Sequence, residues 1–356
     1  MGLKIDGRPT TTLMFTPYVF AFVIASVYLA VGKSQLYEAY PADCVTADSF
    51  DDTVDYFTSK FSPVEYSPVF DMFPEKVTTD STTDLFDITY HNHYKILTNH
   101  FANQSYLLYL CGTEPPESEL DGRHHLVLPV PHRGGVALTS TTQIPYLELL
   151  GLRSEVIAYI GDDQWVSSPC MRYQIDVDET IEVIGDNDHT SNETISKPPK
   201  EQFLLDNPEA IIFEGTYGDR DLERAVIAAA TQERSTVATF DWIGFYAAFF
   251  NMEGLSNNIT AETKARYDCS RDNAVQLSEN RPIDERPTVL WATYFWGYNW
   301  SVAECPTWDA AFYCEYAAHC GANILARPEG VGWNNPDFGG RYWYLNDDDF
   351  LEVSWI

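Results

Sequence analysis

Four hydroxyl-bearing residues follow one another directly after the apolar segment 135–138: Thr139, Ser140, Thr141 and Thr142. Serine and threonine hydroxyls donate and accept hydrogen bonds, and at a helix start they cap free backbone N–H groups. The same run could hold an oxygen atom of a ligand through its hydroxyls and the helix N-terminus. Because capping occurs with or without a ligand, the sequence leaves both roles open for these residues.

Aromatic residues stand where the predicted strands end. Tyrosine and tryptophan combine a large apolar face with one polar atom, which suits a bulky amphipathic ligand. If the strand ends of two α/β lobes face one cleft, these side chains line it. The alternative is that several of them close the core or cover local loops. The aromatic candidates are Trp165, Tyr217, Trp242, Trp296, Tyr298 and Trp300.

The element that positions the hydroxyl run is a βαβ unit over residues 127–162. Residues 135–138 are a short apolar run of the kind that forms a buried parallel strand. The next helix tolerates Pro145 in its first turn and ends at Gly151, and residues 155–160 form the second strand. Such a unit places free backbone N–H groups at the carboxyl edge of a sheet, where ligands bind.

Further elements are predicted on both sides of this unit. A hairpin is predicted from 93–98 and 105–110, and the alternation of strands and helices after it indicates a parallel α/β sheet. A long helix over 243–277, interrupted at 254–258, follows the sheet. The other predictions are strands at 180–184, 209–213, 236–240 and 286–295, and helices at 200–205, 222–230 and 309–321.

Three stretches resemble a known family when taken together and in order. They are FDITYHNHYKILTNHFANQSYLLYLCGTEPP at 86–116, LTSTTQIPYLELLGLRSEVIAYIGDDQWVSSP at 138–169, and RPTVLWATYFWGYNW at 286–300. The combination is similar to ABC-transporter substrate-binding proteins of the ferric-siderophore/cobalamin type (class III periplasmic binding protein-like). The resemblance implies an α/β fold with two Rossmann-like lobes joined by a long helix.

The same resemblance sets the expected domain boundaries. Because the parts that close the second lobe in related proteins have no counterpart here, we expect that lobe to be truncated at the C-terminus. The expected order is a signal peptide or signal-anchor at 1–32, an extended acidic leader at 33–68, an N-terminal α/β lobe at 69–240, a linker helix region at 241–284, and an incomplete C-terminal α/β lobe at 285–356.

Charge and targeting signals indicate an exported protein. The net charge is −31, which argues against nucleic acid and anionic membranes as partners. Lys4 and Arg8 precede an apolar run at 13–31, which is typical of a cleaved secretory signal or, as the alternative, an anchor. Four Asn-x-Ser/Thr sequons are compatible with glycosylation: Asn103, Asn192, Asn258 and Asn299.

The seven cysteines contain no CxxC pair, so disulfides are expected rather than a zinc or redox motif. Their pairing cannot be deduced, and the odd number implies a free thiol, an intermolecular bridge or a missing partner.

Four histidines are interpreted as surface residues rather than metal ligands, because no third ligand stands out: His91, His93, His124 and His125. Signatures of hydrolases, P-loop enzymes and zinc peptidases are absent from the sequence.

We therefore expect a non-enzymatic extracytoplasmic solute-binding protein without a cofactor or a metal of its own. Its ligand would be a bulky metal chelate (ferric siderophore, haem or corrinoid) held between the lobes. A membrane permease or uptake receptor would be the partner, and the chain would act as a monomer.

Two alternatives to this function stay open. One is a secreted or cell-surface interaction protein that keeps the fold without binding a small molecule. The other is a hydrolase, whose sign would be a buried His–carboxylate pair at the cleft.

Overall fold

The computed structural model describes residues 44–45, 50, 53–57, 83–185, 199–282, 285–295, 299–303, 305, 311–334 and 342–353. All of them belong to one compact unit, Ala39–Ile356. The expected signal or anchor segment and most of the expected leader lie outside the described residues. Within the described part of the chain, no helix has both the length and the apolar composition that crossing a bilayer requires.

Four strands form the first sheet, which we call the hairpin sheet: β1 (Phe86–Tyr90), β2 (Tyr94–Asn99), β3 (Gln104–Leu110) and β4 (Leu126–Val130). They lie in chain order, with β1 to β3 antiparallel and β4 parallel to β3. The predicted hairpin is confirmed. Its turn contains Asn103 with a φ of 55°, a left-handed conformation that asparagine adopts more readily than most residues.

Five strands form the second, fully parallel sheet: β5 (Val136–Leu138), β6 (Val156–Ile160), β7 (Glu182–Ile184), β8 (Ile211–Glu214) and β9 (Ala225–Ile227). Their spatial order is β7-β6-β5-β8-β9. The helices between them are α1 (Ile144–Leu149), α2 (Pro169–Asp176) and α3 (Pro199–Asp206). The predicted parallel α/β sheet is confirmed. Its chain order reverses between β5 and β8, so the topological switch point lies there.

Two elements differ from the sequence prediction. The run 222–230 was expected to be a helix because of its alanines, yet Ala225–Ile227 is strand β9 and is fully buried. Residues 236–240 were expected to be a strand but begin helix α4 (Thr236–Phe249), for which the Ser235 side chain caps the N–H of Val237. Tertiary burial of the short apolar run and the serine cap outweigh the intrinsic residue preferences in both cases.

The long helix is confirmed, with its interruption displaced. Helix α5 (Glu253–Glu279) runs through the residues that were expected to break it, and the chain bends at 250–252 instead. Asn251 adopts a φ of 54° at this bend, which is why α4 and α5 do not continue as one helix.

Helix α4 forms the centre of the hydrophobic core. Every residue from 241 to 249 is buried, so this helix has no solvent-facing stripe. On the side of the hairpin sheet, Phe86 meets Trp242 with ring centroids 5.1 Å apart. On the side of the parallel sheet, Phe213 meets Tyr246 at 4.9 Å. Both sheets therefore pack on this one apolar helix.

The C-terminal region contains α/β and antiparallel parts. Strands β10 (Thr288–Val289) and β13 (Asn323–Ile324) are parallel, and helix α6 (Ala311–His319) lies between them in the chain, as predicted for 309–321. An antiparallel sheet, which residue periodicity did not predict, has the order β11-β12-β15-β14. Its strands are β11 (Ala292–Phe295), β12 (Asn299–Ala303), β14 (Trp333–Asn334) and β15 (Tyr342–Leu345). Helix α7 (Asp347–Val353) ends the described chain.

The expected disulfides are confirmed. One joins Cys44 of the leader to Cys111 at the end of β3, and the second joins Cys305 to Cys314. Phe57 of the leader is also 2% exposed and belongs to the main core, so parts of the leader pack on the folded chain. Three cysteines of the described part have free, exposed thiols: Cys170, Cys269 and Cys320.

A buried ion pair fixes the bend between α4 and α5. The Lys95 ammonium on β2 contacts the Glu253 carboxylate and donates to Asn251 Oδ1 at 2.8 Å. Tyr90 Oη donates to the same carboxylate at 3.2 Å. Burial lowers the pKa of Lys95 and raises the pKa of Glu253, and the opposite charge of each partner counteracts these shifts.

We expect the substitution E253Q to lower the free energy of unfolding by about 3 kcal/mol, because it leaves the Lys95 charge buried without a counter-charge. Urea denaturation at pH 7 measures this loss. The double variant K95M/E253L removes both charges and should recover most of the stability. Equal stability of E253Q and the wild type would show that the pair does not hold the bend.

A second buried carboxylate gives the fold a pH dependence. Burial raises the pKa of Glu233 to about 7 from an ordinary value of 4.5, and the charges of Asp84 and Asp241 raise it further, while hydrogen bonds from Thr83 and Trp242 oppose the shift. The folded state therefore binds this proton more tightly than the unfolded state. The stability that Glu233 contributes is present below pH 4.5 and is lost as the pH rises through about 7.

We expect E233Q to lose less stability than the wild type between pH 4.5 and pH 8, because a neutral amide replaces the carboxylate that must ionise. Urea midpoints at half-unit pH intervals measure the difference between the two curves. The exposed residue Glu223 provides the control, since E223Q should follow the wild-type curve. Parallel curves for E233Q and the wild type would contradict the assignment.

Candidate functional site

The switch point of the parallel sheet opens into a cleft at its carboxyl edge. The first loop after β5 begins at Thr139 and the loop after β8 begins at Gly215, and the Gly215 N–H donates to Thr139 Oγ1 at 2.9 Å. The two loops therefore start side by side. The connection from β5 to β6 and the connection from β8 to β9 then lead toward opposite ends of the sheet. Ligands of open α/β sheets bind at such a position.

The cleft has a volume of about 390 Å³, within the range of small-molecule sites. Hydroxyl groups and glycines form most of its wall, with one lysine and one glutamate. The lining residues are Thr139, Ser140, Thr142, Ile160, Gly161, Lys200, Glu214, Gly215, Thr216, Tyr217, Gly218 and Thr231. Strands β5, β6 and β8 each contribute residues at or just beyond their carboxyl ends.

The hydroxyl run caps its helix. Ser140 Oγ accepts from the Thr142 N–H at 3.4 Å and contacts Thr142 Oγ1 at 2.9 Å. The Gln143 side chain completes a capping box and donates to the Phe213 carbonyl at 3.0 Å. Thr141 begins the first turn. Ser140 and Thr142 also line the cleft, and their contact with a ligand stays a prediction.

A buried carboxylate lies at the floor of the cleft. Glu214 is 1% exposed and accepts from Thr139 Oγ1 at 3.1 Å. The Lys200 ammonium reaches both of its oxygens, at 2.8 and 3.0 Å, the second in hydrogen-bond geometry. The charges of this pair cancel, so the cleft offers a ligand neutral hydroxyl and amide groups rather than an unbalanced charge. Sequence reasoning missed both residues, although Glu214 directly ends a predicted strand.

Two of the aromatic candidates project from loops at the carboxyl edge. Tyr217 is 85% exposed, and its hydroxyl accepts from Gln232 Nε2 at 3.4 Å. Trp165 is 65% exposed and follows β6 by five residues, outside the residues that line the cleft. An exposed ring that follows a strand end is available to a ligand.

The prediction for Trp242 is wrong. Trp242 was expected to follow a strand end and face the cleft, but it lies inside helix α4 with 0% exposure. Its indole Nε1 donates to Glu233 at 2.8 Å, away from the cleft. The cause is the misassigned strand at 236–240, because a helix at this place turns the indole into the core.

The remaining aromatic candidates belong to the C-terminal region. Trp300 stacks on Phe350 with ring centroids 3.9 Å apart, and its Nε1 donates to Asp347 Oδ1 at 2.9 Å. It thereby joins β12 to α7. Trp296 and Tyr298 lie outside the described residues.

Histidines do not contribute to the described lining of the cleft. His124 is paired with Glu119 at 3.3 Å and with Ser105 Oγ at 2.8 Å, in the connection before β4 and not at the cleft. His91 stacks on Tyr94. Among the described residues no group of histidine, cysteine, aspartate and glutamate has the arrangement of a metal site. The cleft as described therefore lacks the sign that the hydrolase alternative requires.

Neither the known family models nor the curated proteins contain a match to this chain. A possible iron-binding (periplasmic solute-binding) protein from Staphylococcus epidermidis is similar in structure, at 10% identity and a TM-score of 0.40 over 62% of this chain and 74% of that one. The ABC-type Fe3+-hydroxamate transport system from Saccharomonospora viridis is similar at 12% identity and a TM-score of 0.38 over 62% and 71%.

A third similar structure is a periplasmic binding protein component of a ferrichrome ABC transporter from Bacillus subtilis, at 9% identity and a TM-score of 0.37 over 61% and 72%.

The close approach of Gly218 to Glu214 gives a test of the cleft. A Cβ atom on Gly218 would lie 2.5 Å from Glu214 Oε2 and 2.6 Å from its Cβ. We expect G218A to displace the carboxylate and to lower the free energy of unfolding by about 2 kcal/mol, the usual cost of overpacking.

Urea denaturation measures this effect, and D221A, in the same loop with an exposed side chain, is the matched control. If G218A were as stable as D221A, the result would contradict the close approach of Gly218 to Glu214.

Proposed function

We propose that this protein is an extracytoplasmic solute-binding protein that captures a bulky metal chelate (ferric siderophore, haem or corrinoid) for uptake. The observation that carries the proposal is the hydroxyl-lined cleft at the switch point of the parallel sheet, with the exposed ring of Tyr217 beside it. Hydroxyls and loop amides hydrogen-bond the polar rim of the ligand, and aromatic faces cover its apolar surface.

The charges of the cleft favour a neutral ligand. Lys200, the cation among the described lining residues, is already paired with Glu214. The chain as a whole carries a net charge of −31, which repels anions at long range. A neutral chelate, such as a ferric trihydroxamate, therefore binds better than a trianionic ferric tris-catecholate of similar size.

The disulfides support the extracytoplasmic location. Disulfides form and persist in oxidising compartments, and the described residues contain two of them. A protein that captures a chelate outside the cytoplasm needs a permease or an uptake receptor to deliver it. In this proposal the protein acts as a monomer that presents the loaded cleft to that partner.

Titration of the purified full chain tests the function, with intrinsic fluorescence as the readout. The probes are a ferric trihydroxamate, a ferric tris-catecholate, haem and cobalamin. We expect saturable quenching by at least one of them, with the trihydroxamate bound more tightly than the tris-catecholate. Y217A should weaken binding about tenfold, because it removes the exposed ring beside the cleft.

The matched control is Y173A, which removes an exposed ring from α2 outside the cleft. It should bind as tightly as the wild type. A lack of saturable quenching by all four probes would overturn the proposal and favour an interaction protein that has kept the fold. Equal weakening by Y217A and Y173A would place the ligand elsewhere.

A further inference from the structure

A chain of buried polar side chains joins the hairpin sheet to the parallel sheet. Tyr106 Oη on β3 accepts from the Ile227 N–H of β9 at 3.2 Å and donates to Gln104 Oε1 at 2.5 Å. Gln104 Nε2 then donates to the Arg220 carbonyl at 2.8 Å. Asn99 Nδ2 donates to the Ile227 carbonyl at 2.7 Å. Tyr106 and Asn99 are fully buried, and Gln104 is 7% exposed.

The first part of this chain serves the sheet edge. Strand β9 is the last strand of the parallel sheet, and Ile227 turns its N–H and C=O away from β8. Buried backbone groups without partners cost free energy. Tyr106 and Asn99 of the hairpin sheet supply the hydrogen bonds that a sixth strand would otherwise make to Ile227. This part explains the burial of Tyr106 and Asn99.

Gln104 makes a hydrogen bond that the backbone groups of Ile227 do not need. Its target, Arg220, lies in the loop between β8 and β9 that carries Tyr217 and Gly218 along the cleft. The Arg220 guanidinium also lies 5.1 Å from the centroid of the Phe101 ring, at the turn of the same hairpin. The hairpin turn therefore holds this loop through one partly buried hydrogen bond and one cation–π contact.

We propose that Gln104 is a positioning residue for the ligand cleft: it fixes the loop 215–222, and with it the Tyr217 ring, without touching the ligand. The amide fits this task because it accepts from Tyr106 Oη through one atom and donates to the Arg220 carbonyl through the other. The inference rests on the proposed binding function, and it adds a residue remote from the cleft as a determinant of affinity.

The test compares Q104M with the wild type in the full chain. Methionine keeps the size and removes both hydrogen bonds. We expect amide hydrogen exchange in the loop 215–222 to become about tenfold faster, and the affinity for a ferric trihydroxamate to fall about tenfold. Exchange in β5 and β6 serves as the internal reference, since a general loss of stability would accelerate it equally.

Asn103 supplies the matched control. N103G changes the same turn, and glycine accepts the φ of 55° without strain, so exchange and affinity should stay at wild-type values. A second variant, R220A, keeps the carbonyl that Gln104 binds and removes the cation–π contact, so its loop should exchange more slowly than that of Q104M.

Two results would overturn the inference: loop exchange in Q104M at the wild-type rate, or faster loop exchange with unchanged affinity. If the wild type binds none of the probes, the proposed function fails. In that case the exchange rates alone decide whether Gln104 holds the loop.

Discussion

The fold depends on one helix that has no solvent-facing side. Helix α4 packs on both the hairpin sheet and the parallel sheet through its buried aromatic residues, among them Trp242 and Tyr246. A helix that is apolar all round is stable only if other elements cover it completely. The hairpin of β2 and β3 is therefore part of the same hydrophobic core. At the end of α4, the Lys95–Glu253 pair fixes the direction in which α5 leaves.

The cleft combines backbone topology with side-chain chemistry. Because the chain order reverses between β5 and β8, the loops that begin at Thr139 and Gly215 diverge and leave a space at the carboxyl edge. Hydroxyl groups line this space, and Lys200 neutralises the buried Glu214 at its floor. In the proposed function, the cleft selects its ligand by hydrogen bonding and ring contact, since its own charges are already balanced.

The fold could be predicted from the sequence wherever local pattern and tertiary burial agree. Strands β2, β3, β5, β6 and β8 have apolar runs bounded by turn residues, and burial keeps them as strands. The run 222–230 has the composition of a helix, but its central residues complete a buried sheet edge. Residues 236–240 have the composition of a strand, but the Ser235 cap and the continuous apolar sequence that follows make them the first turns of α4. The second of these errors also misplaced Trp242.

By itself, the sequence determined the βαβ unit, its helix cap and the exposed ring after β8, because each depends on residues close together in the chain. For this reason it placed Ser140, Thr142 and Tyr217 at the ends of strands, where the structure has them lining the cleft. Only the tertiary structure decided that Lys200 neutralises Glu214 and that Gln104 supports the loop after β8. These contacts join residues 14 and 116 positions apart. Local periodicity carries no information about such pairs, which form only when separate elements pack together.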